Sequence, residues 1–377
     1  MAKKRKKYNM KLIVVTGLYR SGTTLVQKIL NSNSEINIIN HGMLGYFKSL
    51  ESIFFKEKGY PFNDRPLCLE FFRPNKDYRK IFDIVNFDEK AVTTLIDQIE
   101  KEIVRDINLG GPKTRPTSKW IDCLKKTIKP GKAKEVLKNI CKSINLYRGS
   151  NNPTYCGFKE LNLEQFIEPL IFEFNKDIKV IKIIRDPRAI LLSRNYGSIV
   201  KTKGGGKIHP LLLVAKTWRT SIRYKLLLSN LYPQNFLPIY YEQLVIDPIN
   251  EIKKICNFLS IEFSTNLLDF SQYKDEENNI WNVNTSFQEK KGFDQSSINK
   301  WKDILPQQVI GAFEFMCCHE MMIEKYCPIT DEENMFKDFV NYEDEKDKIK
   351  EWTFRFNLLL DSEQKKKEIL RNYLLYT

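Results

Sequence analysis

The segment from residue 11 to residue 30 constrains the fold more than any other part of the sequence. Residues 11–17, KLIVVTG, form a short apolar run rich in branched side chains, which is typical of a buried strand. Apolar residues then recur at helical spacing over residues 23–30, and only the loop 18–22 separates the two patterns. We therefore predict a strand, a tight loop and a helix, an arrangement that turns backbone N–H groups and the positive end of a helix toward a phosphate.

Three further segments repeat the buried-strand pattern. Residues 178–186, IKVIKIIRD, and residues 236–244, FLPIYYEQL, are apolar runs that are each followed by proline and an amphipathic helix. TYCGFKE, at 154–160, supplies another strand. Strands that alternate with helices pair in parallel through right-handed crossovers. The predicted fold class is therefore α/β, a P-loop-type doubly wound parallel sheet flanked by helices, in which ligands collect at the carboxyl ends of the strands.

The remaining sequence divides into an insertion and an extension. Residues 44–153 are aromatic and charged with several helical stretches, and we expect them to form a mainly helical insertion that caps the site. The α/β domain is expected to span residues 8–330. Residues 331–377 carry further charged helical patterns and are expected to form a C-terminal helical extension.

The composition indicates a folded protein with an anionic ligand. Hydrophobic residues make up 42% of the chain and charged residues 29%, which is typical of a packed domain. The formal net charge is +14, and part of it lies in the basic runs 3–7 and 365–367, which usually form solvated tails. No RNA-recognition, helix-turn-helix or zinc-finger pattern is present, so we expect an anionic small molecule and no specific nucleic-acid binding.

The sequence also gives expectations about membrane spans, cellular location and metal binding. No stretch approaches the roughly 18 to 20 apolar residues that a membrane span needs, and the start lacks a secretory apolar core. We therefore expect no transmembrane segment and a cytoplasmic location. The eight cysteines form no C-x-x-C pair and the three histidines show no zinc spacing, so reduced thiols and no metal site are expected. The oligomeric state is not indicated.

The loop Y-R-S-G-T-T, residues 19–24, carries the first candidate site. Gly22 permits close backbone approach, Thr23 and Thr24 add hydroxyl donors, and Arg20 adds a planar fork of donors suited to phosphate or sulfate oxygens. The G-x-x-x-x-G-K-[ST] pattern of nucleoside triphosphatases is absent, because no lysine precedes the threonine pair. Taken alone, the loop is equally consistent with an ordinary glycine turn.

A second candidate site lies in R-D-P-R-A-I-L-L-S, residues 185–193. Arg185 stands at a strand end, and Ser193 follows about two helical turns later, so both can meet one further phosphate. A purely structural alternative stays open, because R-D-P is also a good strand-to-helix turn with Asp186 as the helix N-cap.

Together these motifs resemble the sulfotransferases that use 3′-phosphoadenosine 5′-phosphosulfate (PAPS). In that superfamily a [KR]-x-G-T-T loop holds the 5′-phosphosulfate, and an R…S pair at this spacing holds the 3′-phosphate. R-S-G-T-T-L at 20–25 and Y-E-Q-L-V at 241–245 resemble the tyrosylprotein and carbohydrate sulfotransferase branch. The resemblance covers scattered blocks between residues 10 and 325, and it leaves out the 44–153 insertion.

The resemblance implies which residues hold the donor. Ser297, Lys300 and Trp301 match a late S-x-x-K-W segment of the family, and by the same likeness Tyr241, Lys300 and Ser286 contact PAPS. A metal is not required. The expected donor-binding set, from the motifs and the resemblance together, is Arg20, Ser21, Gly22, Thr23, Thr24, Arg185, Ser193, Tyr241, Ser286 and Lys300.

Sulfuryl transfer also needs a base for the acceptor hydroxyl and cations for the charge that grows on the leaving phosphate. Arg20 and Lys159 are the candidates for the cationic role, the latter because G-F-K-E resembles the family's K-[DE] at a strand end. The family offset from the loop to its glutamate base falls here on His41, and a neutral imidazole suits proton removal near pH 7. The alternatives are a capping His41 without a catalytic role and Glu51 as a weaker substitute base.

The sequence thus predicts an enzyme, a PAPS-dependent sulfotransferase that acts in line on a hydroxyl of a glycan, glycolipid, protein tyrosine or small alcohol. Two alternatives stay open. A P-loop phosphotransferase, kinase-like in its chemistry, would consume ATP with a metal. A non-catalytic nucleotide-binding relative would bind the donor without turnover. The sequence does not identify the acceptor, beyond a glycan or a protein as the expected partner.

Overall fold

The structure, a computed structural model, describes most of the chain. The described residues are 10–59, 76–108, 116–149, 153–192, 210–276, 279–281, 292–342 and 362–376.

Within the described residues the centre of the fold is a five-stranded parallel sheet in the order β2-β5-β1-β6-β7. A short antiparallel pair, β3 and β4, lies apart from it. The strands are β1 (Lys11–Gly17), β2 (Ile36–Asn40), β3 (Asn86–Phe87), β4 (Gly131–Lys132), β5 (Tyr155–Lys159), β6 (Ile178–Ile184) and β7 (Phe236–Tyr240). Near-continuous apolar strands that are covered on both faces favour parallel pairing, and the predicted α/β class is confirmed.

Helices cover both faces of the sheet. The first eight described helices are α1 (Thr23–Asn31), α2 (Leu44–Glu57), α3 (Ile81–Ile84), α4 (Glu89–Asn108), α5 (Ser118–Thr127), α6 (Ala133–Arg148), α7 (Glu164–Phe174) and α8 (Pro187–Leu191). The others are α9 (Pro210–Leu231), α10 (Tyr241–Ile246), α11 (Pro248–Leu259), α12 (Ser296–Ile304), α13 (Gln307–Ile323), α14 (Glu332–Val340) and α15 (Ser362–Tyr376).

The strand predictions are confirmed for β1, β5 and β6, the predicted end of the last strand is wrong, and β2 and the short strands β3 and β4 were not predicted. The strand predicted over 236–244 ends at Tyr240, because residues 241–246 form α10, in which the buried side chains of Glu242 and Val245 lie three residues apart, at helical spacing. The aromatic and branched residues of this stretch resemble a strand in composition. Strand β2 was not predicted, since its five residues, INIIN, include two asparagines, which are depleted in strands.

The two faces of the sheet bury different sets of helices. On one face, α1 and α11 pack against Ile13, Val15 and Ile181. On the other, Leu12 and Val14 join a larger apolar cluster to which α2, α4, α5, α6 and α7 all contribute. The described part of the predicted 44–153 insertion is helical apart from β3 and β4, and its helices share this core with the sheet.

The C-terminal helices pack beside the β6 side of the molecule. A third cluster joins Ile184 to side chains of α8, α9 and α13. Helix α15 is tied to this region by ion pairs of Glu368 with Arg219 at 2.5 Å and of Arg371 with Glu320 at 2.6 Å. The domain boundary at residue 330 stays a prediction. None of the described helices combines the length and the apolarity that crossing a membrane requires.

Candidate active site

The carboxyl ends of the five parallel strands meet at one edge of the sheet, and this edge gathers most of the predicted site residues. The strand order places the loop after β1 in the middle of the row. The residues follow along the edge as His41 after β2, Lys159 at the end of β5, residues 18–22 after β1, Arg185 after β6 and Tyr241 after β7. Neighbouring strands lie about 4.8 Å apart, so this row is short enough to form one site.

The loop after β1 is a tight turn that only glycine completes. Gly22 has a φ of 97°, and a Cβ there would lie 2.3 Å from the Tyr241 ring. The Ser21 hydroxyl is buried and donates to the Leu18 carbonyl at 2.7 Å, which closes the turn. Helix α1 begins at Thr23 directly after the loop, so its N-terminal N–H groups, which have no partner within the helix, face this edge.

Arg185 is held across this loop by neutral groups. Its guanidinium donates to the Arg20 carbonyl at 2.9 Å and to the Ser297 carbonyl at 3.0 Å, and it lies 4.1 Å from the centre of the Tyr241 ring. Among the residues that the structure describes, no carboxylate forms an ion pair with Arg185. The Trp218 indole N–H donates to the Arg185 carbonyl at 3.1 Å and fixes the backbone below it. The positive charge of Arg185 is therefore available to an anion.

Arg20 adds a second positive charge beside Arg185. Burial first, and then the charge of Arg185, lower the pKa of the Arg20 guanidinium from 12.5 to about 10, against an opposing effect of Tyr241. Two cations that repel each other at the end of a strand are stabilised by any anion that binds there. The electrostatics of this side of the loop thus fit a phosphate or a sulfate.

Ser297 belongs to the same group, although in the sequence it stands out only as the first residue of the S-x-x-K-W match. The Tyr241 hydroxyl and the Ser297 hydroxyl lie 3.0 Å apart, and Ser297 Oγ donates to the Asp294 carbonyl at 2.9 Å. Lys300 lies on the same helix, α12, and its side chain is exposed. The motif was therefore the signal for Ser297, and the structure shows that both its hydroxyl and its carbonyl face this side of the edge.

The turn after β6 carries a structural role together with the candidate binding role. Asp186 caps α8, because its carboxylate accepts from the Arg188 N–H at 2.9 Å, and Pro187 occupies the first turn. The Asp186 N–H donates to Glu242 at 2.9 Å. The capping alternative to the sequence prediction is thus correct for Asp186, while Arg185 is left to face the loop.

On the opposite side of the loop, His41 and Lys159 are in direct contact. His41 has a φ of 67°, and its N–H donates to the Lys159 carbonyl at 2.9 Å, which extends the pairing of β2 with β5 by one residue. Its Nε2 lies 2.6 Å from Lys159 Nζ, and its Nδ1 lies 3.2 Å from Oε1 of Glu160. Since an ammonium group only donates, Nε2 carries the lone pair and Nδ1 carries the proton in this arrangement.

Glu160 is the buried anion of this side. Its carboxylate accepts from the N–H groups of Met43 at 3.1 Å and Leu161 at 3.0 Å. Burial alone raises the pKa of Glu160, but the hydrogen bond and charge of His41, the charge of Lys159 and the Leu161 N–H together lower it from 4.5 to about 2. Glu160 is therefore ionised at every pH at which the protein is expected to work.

Three predicted residues take no part in the described arrangement. Ser193 and Ser286 lie outside the described residues. Glu51, the substitute base, lies on α2, where its carboxylate accepts from the Tyr78 hydroxyl at 3.3 Å and the Gln165 amide at 3.4 Å. The roles assigned to the individual site residues stay predictions.

The match to a family model covers more than half of the chain. A model described as "Sulfotransferase family" matches residues 13–265 of the 377. Carbohydrate sulfotransferase 3 of Tetronarce californica is 22% identical over 183 residues, which are 44% of this chain and 40% of that protein. Protein-tyrosine sulfotransferase A of Caenorhabditis elegans is 23% identical over 215 residues, 55% of this chain and 54% of that protein. The chain thus spans about half the length of the curated relatives it matches.

Solved structures give only remote likenesses. The sulfotransferase domain from the curacin biosynthetic pathway matches with a TM-score of 0.49 and 17% identity, over 84% of this chain and 98% of that chain. The sulfotransferase domain from the Synechococcus PCC 7002 olefin synthase matches with a TM-score of 0.47 and 18% identity, over 86% of this chain and 98% of that chain.

Proposed function

The chain belongs to the sulfotransferase family, and from this premise we propose that it transfers a sulfuryl group from PAPS to an acceptor hydroxyl. One observation carries the proposal. A single sheet edge holds a cationic pair, Arg20 and Arg185, on one side of a phosphate-type loop and a base next to a cation, His41 and Lys159, on the other. Sulfuryl transfer needs these two kinds of group at adjacent positions.

The donor half of the proposal rests on the fit of the β1 loop and its arginines to an anion. PAPS carries a phosphosulfate and a separate 3′-phosphate, and when bound it supplies an activated sulfuryl group on a phosphate leaving group. The N-terminus of α1, the Arg20 side chain and residues 21–24 would hold the phosphosulfate, as the motif implies. Arg185 and Tyr241 would hold the 3′-phosphate side, together with Ser193, Ser286 and Lys300 as the resemblance implies.

In the acceptor half of the proposal, His41 removes the proton of the acceptor hydroxyl. Nε2 carries the lone pair, so it takes the proton of the acceptor hydroxyl as the oxygen attacks sulfur and the bond from sulfur to the leaving phosphate breaks. Lys159 ends β5, which lies between β2, after which His41 follows, and β1, after which the loop follows, so its side chain stands between the two. When Lys159 turns to the loop, it leaves Nε2 to the acceptor and, with Arg20, stabilises the negative charge of the leaving group.

The acceptor class follows from the relatives' names alone. Those relatives are named as a carbohydrate sulfotransferase and as protein-tyrosine sulfotransferases. We infer a hydroxyl on a glycan or on a protein tyrosine as the acceptor.

The direct test is a transfer assay with two labelled donors. The full chain is incubated with PAPS labelled with ³⁵S, or with ATP labelled with ³²P at the γ position, and with glycan and tyrosine-peptide acceptors, in the presence of Mg²⁺ or of EDTA. We expect ³⁵S in an acceptor, with or without EDTA, because Arg20 and Lys159 supply the charge, and no ³²P. Magnesium-dependent ³²P transfer would establish the phosphotransferase alternative. Donor binding without ³⁵S transfer to any acceptor would establish the non-catalytic alternative.

A further inference from the structure

We propose that Glu160 is a positioning residue that sets the tautomer of His41 and stabilises the imidazolium that forms during transfer. The proposal deepens the proposed function and rests on it, because it assumes that His41 is the base. Glu160 is the acidic residue of the G-F-K-E segment, but the sequence does not predict its contact with His41, in which Glu160 Oε1 lies 3.2 Å from His41 Nδ1.

Two neighbours impose the same protonation pattern on the imidazole. A carboxylate only accepts, so Nδ1 must carry the proton that faces Glu160. The Lys159 ammonium only donates, so Nε2, 2.6 Å away, must be the bare nitrogen. The nitrogen that the mechanism needs as the base is thus the one that both contacts leave without a proton.

The sheet itself fixes the carboxylate and the imidazole relative to each other. Asn40 is paired with Lys159 in the register of β2 and β5, and the next residue on each strand is His41 and Glu160. The His41 N–H continues the ladder to the Lys159 carbonyl at 2.9 Å. The second carboxylate oxygen of Glu160 accepts from the Met43 N–H at 3.1 Å, so the side chain is held at both oxygens. A one-residue change in register would separate the pair.

Glu160 is also in the charge state that the role requires. It is 5% exposed, and its low pKa keeps it an anion at neutral pH. Glu160 and Lys159 are charged groups that both face the imidazole. Two uncharged groups of neighbouring elements lie close by, namely the Met43 N–H just before α2 and the Trp120 ring beside Gly42. When Nε2 takes the acceptor proton and Lys159 turns away, the new positive charge lies against the Glu160 carboxylate, as in the acid–histidine pairs of hydrolases.

A merely structural role for Glu160 has a different consequence. If the carboxylate served only to hold the turn at Met43, its replacement would lower stability without changing the protonation of His41. The chain offers a matched control in Glu164, four residues further on. This carboxylate is equally buried, and it pairs with Lys182 at 2.5 Å and with the Ser221 hydroxyl at 2.7 Å. Glu164→Gln therefore removes a buried carboxylate whose described partners lie on β6 and α9 and do not include His41.

The test is ¹⁵N NMR of the histidine rings in the full chain, combined with pH profiles of turnover. The chain has only three histidines, at positions 41, 209 and 319, so His41→Asn assigns the His41 signals by difference. In the wild type we expect a protonated Nδ1 and a bare Nε2. In Glu160→Gln, whose amide offers both N–H and oxygen, we expect a mixed tautomer, kcat about 10- to 100-fold lower, and an acid limb of the kcat profile at lower pH. The affinity for 3′-phosphoadenosine 5′-phosphate (PAP) should stay within about two-fold.

The outcomes separate this proposal from the proposed function. The ring signals do not depend on turnover, so a sulfuryl-transfer assay that fails while the tautomer changes in Glu160→Gln overturns the function and leaves only the control of the His41 tautomer by Glu160 in place. Unchanged ring signals and an unchanged kcat profile in Glu160→Gln overturn the positioning role, as does the same change in Glu164→Gln. If Glu160→Gln does not fold, the wild type alone still decides, because a proton on Nε2 and a bare Nδ1 would contradict the proposal.

Discussion

The two sides of the β1 loop differ in how their cations are held. On the β6 and β7 side, Arg185 donates to two backbone carbonyls and stacks on Tyr241, and no described carboxylate pairs with it. On the β2 and β5 side, His41 and Lys159 lie against the buried carboxylate of Glu160. A cation held by neutral groups keeps its charge for an external anion, whereas a base gains from a fixed anion that stabilises its protonated form. From this difference we propose donor binding on the first side and proton removal on the second.

The largest expected effect is on the β2 side. His41→Asn removes the proposed base, and asparagine tolerates the positive φ of this position better than most residues do. We expect kcat to fall by about 10² to 10⁴-fold, the usual contribution of a general base. PAP affinity, measured by calorimetry, should not change, because we propose that the donor is held on the other side. Unchanged turnover in a folded His41→Asn variant would remove His41 from the mechanism.

The next largest effect is expected on stability, when the geometry of the β1 loop is changed at Gly22. Gly22→Ala places a methyl group within 2.3 Å of the Tyr241 ring at a φ of 97°, so both strain and a clash result. Gly59→Ala is the matched control, because Gly59 also has a positive φ, 68°, but nothing lies within 4 Å of the added Cβ. Urea unfolding should show a loss of about 2 to 4 kcal/mol for Gly22→Ala and about 1 kcal/mol for Gly59→Ala.

PAP binding should also distinguish Gly22→Ala from Gly59→Ala. Only Gly22→Ala should weaken it, because only that residue shapes the loop between α1 and Tyr241. Equal losses of stability and equal PAP affinity in the two variants would show that the contact with Tyr241 does not matter.

Protonation of the buried Glu160 carboxylate at acid pH is expected to lower stability by an amount comparable to that of Gly22→Ala. The folded pKa of Glu160 is lowered from 4.5 to about 2, so its contribution to stability is present above about pH 4.5 and is lost as the pH falls toward 2. Between pH 5 and pH 2 the wild type should lose on the order of 3 kcal/mol more than Glu160→Gln. Chemical denaturation at both pH values measures this difference. A difference near zero would mean that Glu160 is not held as an anion.

The smallest effect is expected on PAP affinity, when Tyr241 on the β7 side is changed. Tyr241→Phe removes only the hydroxyl that lies 3.0 Å from Ser297 Oγ, and it keeps the ring on which Arg185 stacks. We expect PAP affinity to fall by less than about ten-fold, in line with one neutral hydrogen bond of about 1 kcal/mol. Tyr241→Ala should weaken binding more, because the ring is also lost. If the two variants bound PAP equally, the stacking of Arg185 on the ring would not contribute to PAP affinity.

The same comparison shows how far the sequence alone can lead. The loop of β1 and the turn of β6 are continuous motifs, so the sequence pattern is enough to propose Arg20 and Arg185 as site residues. Ser297 is only a motif position in the sequence, because its contact with Tyr241 joins segments more than fifty residues apart. Glu160 stands in the G-F-K-E segment, but the role we propose for it was not predicted, since that role depends on the parallel register of β2 and β5, and β2 is too short and too polar to be predicted from its pattern. Local chemistry is readable from the sequence, whereas the register between distant strands is not.

The division of the edge into a donor side and a proton side is tested most directly by PAP calorimetry on Arg185→Ala. Arg79→Ala is the matched control, because Arg79 also stacks on an aromatic ring, 4.7 Å from the centre of Phe172, and forms an ion pair with Glu168 away from the strand ends. We predict that Arg185→Ala binds PAP at least about ten-fold more weakly than the wild type, since charge-assisted hydrogen bonds to a phosphate are lost. Arg79→Ala and His41→Asn should bind as the wild type does. Equal PAP affinity in Arg185→Ala and the wild type would contradict the account.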